Sequence, residues 1–338
     1  MRSSGEGAPS IDDVARLSGV SSQTVSRVSR GAPNVSAPTR ARVLGAMGRL
    51  GYSPNRAAQA LRSGAFNAIG VLTQQIQRTG EAYTTSGVLE AAAEAGYSVV
   101  MAQVEHSDGD EMRQAVRRLA RQAIDGLVIV QAGAAAVEGL ALPAGLPVAS
   151  SDSTLVTRCP SASADQVQGV RAAMTHLLGL GHRTVHHITG PADSRSALIR
   201  SATWARCLEE AGIAAPAPTP GGWEAADGYA AGRALAADPE VTAVLCANDE
   251  LALGLIRALH EAGRRVPEDV SVVGFDGLPL GEYAFPPLTT VRQDFHRAGT
   301  EMVRLVLEQV RGGPLDESHV IIPTRLVVRA STAAPRRR

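Results

Sequence analysis

The sequence contains no lysine, so all 33 of its basic residues are arginine. Because this replacement is typical of a GC-rich genome, the arginine content alone says nothing about function. Three cysteines, Cys159, Cys207 and Cys246, lie far apart without CxxC spacing, which argues against a zinc site or a disulfide framework. We expect neither a metal nor a cofactor. Aromatic residues make up only 3% of the chain, so an aromatic side chain near a cleft carries more weight than usual.

Long apolar runs are also missing. No segment approaches the length needed to span a membrane, and the N-terminal stretch MRSSGEGAPS lacks the apolar core of a signal peptide. We therefore expect a cytoplasmic protein without membrane contact. With 338 residues, 44% of them hydrophobic, the chain exceeds one ordinary core, and at least two compact units are expected.

The net charge of zero conceals an uneven distribution along the chain. Residues 1–64 contain nine arginines against Glu6, Asp12 and Asp13, so this segment carries a charge of +6 and the remainder carries −6. A basic segment joined to an acidic one is typical of contact with nucleic acid. A solvated face that is basic for another reason would give the same totals, so charge alone does not establish contact with nucleic acid.

The basic segment predicts two short helices joined by a tight turn. Ser10-Ile-Asp-Asp13 is a capping-box-like start, and Ser21 can cap a second helix just beyond Gly19. The predicted inner faces are Ile11, Val14, Ala15 and Leu17, then Val20, Val25 and Val28. The outer face of the second helix carries Ser22, Gln23, Ser26 and Arg27. Such a pair is a helix-turn-helix, whose second helix fits the major groove of DNA.

A third helix is expected to begin at Ser36, with Val43, Leu44, Met47 and Leu50 facing the first two helices. The next stretch, GYSPNRAAQALRSG, breaks at Pro54 and restarts as a helix too short to be stable in water without docking. Leu61 on this helix could be an apolar wedge in a minor groove. A plain linker with one ordinary leucine is an equally good interpretation.

The order IDDVARLSGVSSQTVSRVSRG, NVSAPTRARV and LGYSPNRAAQAL closely resembles the DNA-binding head of the lac repressor (LacI/GalR) family. The similarity continues in CANDELALG, DVSVVGFDG and PPLTTVRQDF, so it covers nearly the whole chain. It implies that Ser22, Gln23 and Arg27 read base edges and that Leu61 intercalates at the operator centre. The member that gives the family its name has Tyr at the position of Ser22, which leaves the operator sequence open. The residues expected to contact DNA are Ser10, Ser21, Ser22, Gln23, Thr24, Ser26, Arg27, Asn34, Ser36, Tyr52, Asn55, Ala58, Gln59 and Leu61.

The remainder of the chain predicts alternating strands and helices. Apolar runs indicate strands at 68–73, 97–102, 126–130, 241–247 and 270–275, with helical patterns such as 166–180 and 250–262 between or after them. Continuous apolarity favours parallel strands covered on both faces, hence a doubly wound α/β structure of two lobes. This resembles the type I periplasmic-binding-protein-like fold, which the family shares, with chain crossovers near 165, 294 and 324.

Polar residues follow the predicted strands, where ligands of doubly wound folds bind. They are Gln74, Asp152, Asn248, Asp276 and Gln293. All of them can bond a hydroxyl, which indicates a polyhydroxylated ligand between the lobes. Phe295 and Trp223 can supply apolar platforms for a sugar ring, and Arg200 could donate hydrogen bonds to two adjacent hydroxyls. Taken singly, each has an ordinary alternative: the aspartates can cap helices, Trp223 can be core and Arg200 can be a surface charge.

The family resemblance narrows the ligand. Asp152, Ser196, Arg200, Trp223, Asn248, Asp276, Gln293 and Phe295 match, in type and context, positions that line the inducer pocket of the name-giving member. Two positions depart: Val130 stands in place of Asn, and Gln74 in place of Ser. The expected effector is a galactose-containing sugar or a β-galactoside.

Enzymatic and transport functions are the alternatives. His186 and His187 are adjacent on a predicted strand and so point to opposite faces, which prevents them from sharing a metal with His182. Asp152 and Asp276 could form a glycosidase pair, but sugar-binding pockets use the same groups as acceptors. No GxSxG elbow, P-loop or dinucleotide fingerprint occurs. A transport-type sugar-binding protein fits the fold, whereas the basic head and the missing signal peptide speak against it.

The resulting expectation is a ligand-controlled repressor that binds a near-palindromic operator as a homodimer. The chain ends in STAAPRRR without leucine heptads, so a dimer is expected and a tetramer is not. The alternative is that this chain is a family member that uses a different effector, or a corepressor. The expected organisation is a DNA-binding domain at 1–53, a hinge helix at 54–65, an effector domain at 66–332 and a tail at 333–338. Within the effector domain, the N-lobe is expected at about 66–165 and 295–323, and the C-lobe at about 166–294 and 324–332.

Overall fold

The structure, a computed structural model, divides into two compact units, Met1–Phe66 and Asn67–Arg338. It describes residues 9–29, 31–53, 65–104, 109–130, 142, 144–151, 159–313, 315 and 318–336. Residues 54–64 of the expected hinge helix and five expected site residues lie outside the described residues: Asn55, Ala58, Gln59, Leu61 and Asp152.

The first unit contains three helices: α1 (Ile11–Ser18), α2 (Ser22–Ser29) and α3 (Ala37–Leu50). The capping box expected at Ser10 is present, because the Oγ of Ser10 accepts from the backbone N–H of Asp13 and the Asp13 carboxylate accepts from that of Ser10. The α1 helix ends at Gly19, whose φ of 68° lies in the left-handed region that favours glycine. The core that joins the three helices is built on Val14, Val25, Val28, Val43 and Met47.

Two leucines expected in this core are exposed, Leu17 by 43% and Leu44 by 52%. Helix α1 buries Val14, Ala15 and Ser18, which share one face at helical spacing. Helix α3 likewise buries Val43, Ala46 and Met47. Leu17 and Leu44 each fall one residue off the buried face, so the predicted inner faces were wrong at these positions.

The second unit is a doubly wound α/β structure with two sheets, as predicted. The strands are β1 (Ala68–Thr73), β2 (Ser98–Gln103), β3 (Gly126–Val130), β4 (Val148–Ser150), β5 (Ser161–Ala164), β6 (His186–Ile188), β7 (Ala243–Cys246), β8 (Ser271–Asp276), β9 (Thr289–Arg292), β10 (His319–Ile322) and β11 (Arg325–Val327). The helices are α4 (Thr79–Glu94), α5 (Gly109–Ala120), α6 (Gln166–Gly179), α7 (Arg195–Glu210), α8 (Ala225–Ala237), α9 (Asp249–Glu261) and α10 (Phe295–Val310).

The first sheet has the order β10-β5-β4-β3-β1-β2 and is parallel throughout. Alternate residues of its central strands pack to opposite sides: Leu72 and Leu127 against α5, and Val71 and Val128 against α4 and α10. All of β1 and β3 is buried, because helices cover both faces of the sheet.

The second sheet has the order β11-β9-β8-β7-β6, in which only the pairing of β11 with β9 is antiparallel. Helices α8 and α9 cover one face and helices α6 and α7 cover the other. His186 is half-buried and His187 fully buried on adjacent positions of β6, so the two rings point to opposite faces as predicted.

The chain passes between the two sheets at three places: between β5 and β6, between β9 and β10, and between β10 and β11. Thr324, in the last of these crossovers, donates from its backbone N–H to Oε1 of Gln168 at 2.8 Å. Its Oγ1 donates to the carbonyl of Asp165 at 2.9 Å. These two bonds join the last crossover directly to the first.

The expected tail begins with residues that are held to the second sheet. The Oγ of Ser271 donates to the carbonyl of Ala333 at 2.9 Å, and the Ala333 N–H donates back to that Oγ at 3.0 Å. Arg336 lies 3.5 Å from the Asp269 carboxylate. The described residues contain no helix that is both long and apolar enough to cross a membrane.

Candidate functional site

A cavity lies between the two sheets, at the carboxyl ends of their strands. It is lined by seven of the expected effector residues: Ser196, Arg200, Trp223, Asn248, Asp276, Gln293 and Phe295. Asp152 lies outside the described residues, while its neighbour Ser151 lines the cavity. Val130, the last residue of β3, also lines it. The cavity therefore brings together side chains from distant parts of the chain, among them residues that follow predicted strands.

Four side chains of the cavity form a closed ring of polar contacts. Nε of Arg200 donates to Oε1 of Gln166 at 2.8 Å, and Nε2 of Gln166 donates to Oε1 of Gln293 at 2.8 Å. Nε2 of Gln293 in turn donates to Oδ1 of Asp276 at 2.6 Å. Nη2 of Arg200 closes the ring, 3.4 Å from the same Oδ1. The ring fixes the orientation of both amides, since each amide has one end bonded to a donor and the other to an acceptor.

Arg200 is held by protein partners on most sides. Its Nη1 also donates to the carbonyl of Ala247, and its guanidinium lies 3.9 Å above the ring of Phe275. Burial lowers the pKa of Arg200, while the nearby Asp276 acts to raise it. Three of its five N–H donors therefore have protein acceptors, and the N–H bonds that remain on the two terminal nitrogens can face a ligand.

Asp276 is the ionisable partner of Arg200 in this ring. It ends β8 with a φ of 108°, a strained conformation for a residue other than glycine. Burial raises the pKa of its carboxyl group to about 7, against the opposing effects of Arg200 and Gln293. Its Oδ1 takes both ring contacts, and its Oδ2 has no hydrogen-bond partner among the described residues. Oδ2 is therefore an acceptor available to a ligand hydroxyl.

Asn248 caps a helix and holds the backbone of Trp223. Its Oδ1 accepts from the backbone N–H of Leu251 and so caps α9, and its Nδ2 donates to the carbonyl of Trp223 at 2.9 Å. The Trp223 ring lies against Gly190, where a Cβ would come within 2.7 Å of the ring. Asn248 thus positions the indole platform at the cavity wall.

The first-sheet wall differs from the expectation at Gln74. The Gln74 side chain is 3% exposed and does not line the cavity. Glu81 of α4 reaches over the end of β1, and its Oε2 accepts from Thr73 Oγ1 and from the backbone N–H groups of Gln74 and Gln75. Because Glu81 covers the strand end, it occupies the place on the cavity wall that strand position alone assigned to Gln74.

Among the lining residues that sequence reasoning missed are Gln166, Glu81 and Glu250. Glu250 stands two residues after Asn248 in the quoted CANDELALG, which was the available signal. Its Oε1 accepts from Oγ1 of Thr79 at 2.6 Å and so joins α9 of the second sheet to α4 of the first. Gln166 follows the first crossover directly, but only the folded chain brings it beside Arg200.

Asp249 does not line the cavity but bonds residues next to it. Its carboxylate accepts from the backbone N–H of Leu278 at 2.7 Å and from Oγ1 of Thr290 at 2.5 Å. Burial raises the pKa of this carboxyl group to about 8. The two bonds join the segment that follows β8 to Thr290 of β9, close in sequence to Asp276 and Gln293.

The first unit presents the expected polar face on α2. Gln23 and Arg27 are exposed, while Val25 and Val28 of the same helix are buried. Oγ of Ser21 accepts from the backbone N–H of Thr24 and caps the helix. Oγ of Ser22 donates to Oδ1 of Asp12 at 2.5 Å. Of the other residues expected to contact DNA, Ser10, Asn34 and Ser36 are exposed, and Thr24, Ser26 and Tyr52 are half-buried.

Hydrogen bonding and burial, rather than a metal, account for His182, His187 and the cysteines. His182 bonds Thr242 and Ser271, and burial lowers the pKa of His187 to about 4. All three cysteines are buried, and none of them is in a disulfide. Within the described ranges, no group of three or more His, Cys, Asp or Glu side chains could hold a metal ion.

Two family models match the chain. One, described as bacterial regulatory proteins, lacI family, matches residues 10–55, and one described as a periplasmic binding protein-like domain matches residues 174–332. The lactose operon repressor of Escherichia coli (strain K12) is 37% identical over 328 residues, which cover 96% of this chain and 90% of that protein.

A ribose operon repressor of Halalkalibacterium halodurans is 31% identical over 323 residues, covering 95% of this chain and 96% of that protein. Among solved structures, the lac repressor dimer bound to operator and the anti-inducer ONPF aligns with a TM-score of 0.87 and 34% identity. This alignment covers 97% of this chain and all of that one.

Proposed function

Since the chain belongs to the lacI family of bacterial regulatory proteins, which are DNA-binding transcription regulators and not enzymes, we propose that it is a repressor released from its operator by a sugar. The observation that carries this proposal is the ring of Arg200, Gln166, Gln293 and Asp276 at the cavity wall. A polar ring with an available acceptor and two aromatic side chains nearby is suited to a sugar.

A galactoside is the effector that we propose. In support, the seven lining residues agree with the pocket positions inferred from the family resemblance, and the E. coli relative at 37% identity is a lactose operon repressor. The ribose operon repressor at 31% identity favours a second candidate, a different sugar. Val130, which stands in place of Asn, brings an apolar side chain to the cavity.

We propose that the regulator acts as a homodimer on a near-palindromic operator. A helix-turn-helix offers few base contacts by itself, and a two-fold dimer places two heads on two half-sites. The related lac repressor is a dimer on its operator in its solved structure. In this chain, Tyr283 and Phe285 are 81% and 95% exposed, next to the exposed Leu280, and this apolar segment is a suitable dimer contact.

Sugar binding would favour one arrangement of the two lobes and weaken the docking of the segment at 54–65 on DNA. The three crossovers are the places where such a change must be absorbed, and Gln166 and Gln293 tie two of them to the cavity. DNA binding implies a cytoplasmic location in the bacterial cell.

Operator binding and release can be tested together by fluorescence anisotropy at fixed salt. Labelled DNA from upstream of the protein's own gene is titrated with protein, and the complex is then challenged with galactose, methyl β-galactoside, lactose and ribose. We expect binding, and release by a galactoside. Asp276→Asn should bind DNA normally and resist release, whereas Arg27→Ala should lose operator binding and still bind the sugar.

Each failure has its own meaning. Release by ribose alone would replace the galactoside with the second candidate. Binding that no sugar reverses would refute the proposed sugar effector while leaving the DNA-binding function in place. Tighter binding with a sugar would reverse the sign of regulation.

A further inference from the structure

Asp12 and Ser22 form a hydrogen bond between the starts of the first two helices. Asp12 lies in the first turn of α1, Ser22 is the first residue of α2, and Oγ of Ser22 donates to Oδ1 of Asp12 at 2.5 Å. This distance is in the range of hydroxyl-to-carboxylate bonds, which are about twice as strong as neutral ones. Asp12 is exposed and Ser22 is half-buried, so the pair lies at the surface of the unit.

The neighbouring carboxylate already performs the local structural task. Asp13 closes the capping box with Ser10 and lies 3.2 Å from Arg16. The first turn of α1 therefore has its cap without Asp12. A second carboxylate in this turn is favoured by the helix dipole, but on a segment with a charge of +6 it opposes the attraction to DNA phosphates.

The bond determines what Ser22 can offer to a base. A serine hydroxyl has one proton and two acceptor lone pairs, and here the proton is given to Asp12. Ser22 then faces outward as an acceptor. In the major groove, adenine N6 and cytosine N4 are donors, whereas the edges of guanine and thymine present acceptors.

We propose that Asp12 is a specificity-determining residue: by holding the hydroxyl proton of Ser22, it restricts Ser22 to the recognition of adenine or cytosine in the operator half-site. The proposal rests on the DNA-binding function proposed above and on placement of α2 in the major groove. Asp12 contributes through Ser22 and is a positioning residue for this contact.

Selection of binding sites from a pool of random DNA duplexes tests the proposal without knowledge of the operator. The full-length protein and its Ser22→Ala, Asp12→Ala and Asp12→Asn variants are compared. The position whose base preference changes in Ser22→Ala is the position that Ser22 reads. We expect the wild type to prefer adenine or cytosine there by about two- to tenfold, the range of one net hydrogen bond.

The two variants of Asp12 form a matched pair because both remove the same charge. Asparagine keeps an oxygen that accepts from Ser22, so Asp12→Asn should retain the preference. Alanine frees the hydroxyl to donate, so Asp12→Ala should admit guanine and thymine at that position and leave the other positions unchanged.

Four results would overturn the proposal while leaving the regulator function in place. They are a wild-type preference for guanine or thymine at the Ser22 position, a preference unchanged in Asp12→Ala, equal changes at all positions in Asp12→Ala, or no position affected by Ser22→Ala. If the wild type selected no sequence at all, sequence-specific DNA binding itself would be contradicted.

Discussion

Nε of Arg200 donates a hydrogen bond to Oε1 of Gln166 at 2.8 Å, and this bond joins the guanidinium to the start of α6, directly after the first crossover. Through the other end of its amide, Gln166 holds Gln293 at the second crossover. The side chains that would meet a sugar are therefore connected to two of the segments that link the lobes.

Replacing Gln166 by Glu should weaken sugar binding without preventing folding. The carboxylate keeps the contact to Arg200 but places an oxygen against Oε1 of Gln293, which must turn its amide and lose the bond to Asp276. We expect about tenfold weaker sugar binding, which corresponds to about 1.4 kcal/mol. Operator affinity without sugar should stay unchanged.

Calorimetry with the sugar and anisotropy with the operator measure the two affinities. Gln166→Leu is the companion variant, because it leaves the buried Arg200 Nε without its partner and should also lower the free energy of unfolding, by about 1–3 kcal/mol. Wild-type sugar affinity in Gln166→Glu would show that the ring has no part in binding.

Sugar binding should strengthen as pH rises through neutrality. The pKa of Asp276 is raised to about 7, so at pH 6 most of this group is protonated and at pH 8 most of it is an acceptor for a sugar hydroxyl. A ligand that bonds the carboxylate releases the proton, and affinity should rise about tenfold between these pH values. Calorimetry across this range should show the rise in the wild type and a weak, flat profile in Asp276→Asn.

The second unit should also lose stability as pH rises, because of Asp249. Its pKa is about 8 in the folded chain, against 3.8 as the ordinary value, so the folded state holds a proton that the unfolded state releases between these values. Where the native state binds more protons, the free energy of unfolding falls with rising pH. Asp249→Asn keeps the group neutral and should flatten this dependence in denaturant unfolding between pH 5 and 8. An unchanged slope in the variant would show that Asp249 is ionised in the fold.

Disruption of the exposed apolar segment should separate the dimer. Tyr283→Glu places a charge in the proposed contact, which is costly when buried. Sedimentation should then show a monomer at micromolar concentration, and operator affinity should fall because one head contacts one half-site. Leu198→Glu, at a similarly apolar exposed position on α7, is the control and should remain a dimer. A dimeric Tyr283→Glu protein with full operator affinity would place the interface elsewhere.

Local sequence signals predicted the strands that are continuous apolar runs, whereas short strands such as β4 and β5 were not among the predicted runs. The run at 68–73 coincides with β1 and the run at 126–130 with β3. Helix faces were less certain, since a shift of one residue moves a side chain by about 100° around the helix, as at Leu17 and Leu44.

The positions of Asn248, Asp276 and Gln293 at the cavity were also predictable, because strand ends of a doubly wound sheet meet at one edge. The sequence did not predict the lining residues that reach the cavity from helices packed beside the strand ends. Glu81 reaches the end of β1 only because α4 packs over it, and Gln166 meets Arg200 only where the crossovers come together.

Reciprocal coupling between sugar and operator tests ligand-controlled repression most directly. The dissociation constant of methyl β-galactoside is measured by calorimetry with and without saturating operator, and that of the operator by anisotropy with and without saturating sugar. Both ratios should be equal, in the range of about 5- to 150-fold, because coupling free energies of binding are reciprocal. Binding of both ligands with ratios of one would contradict control of the DNA-binding head by the cavity.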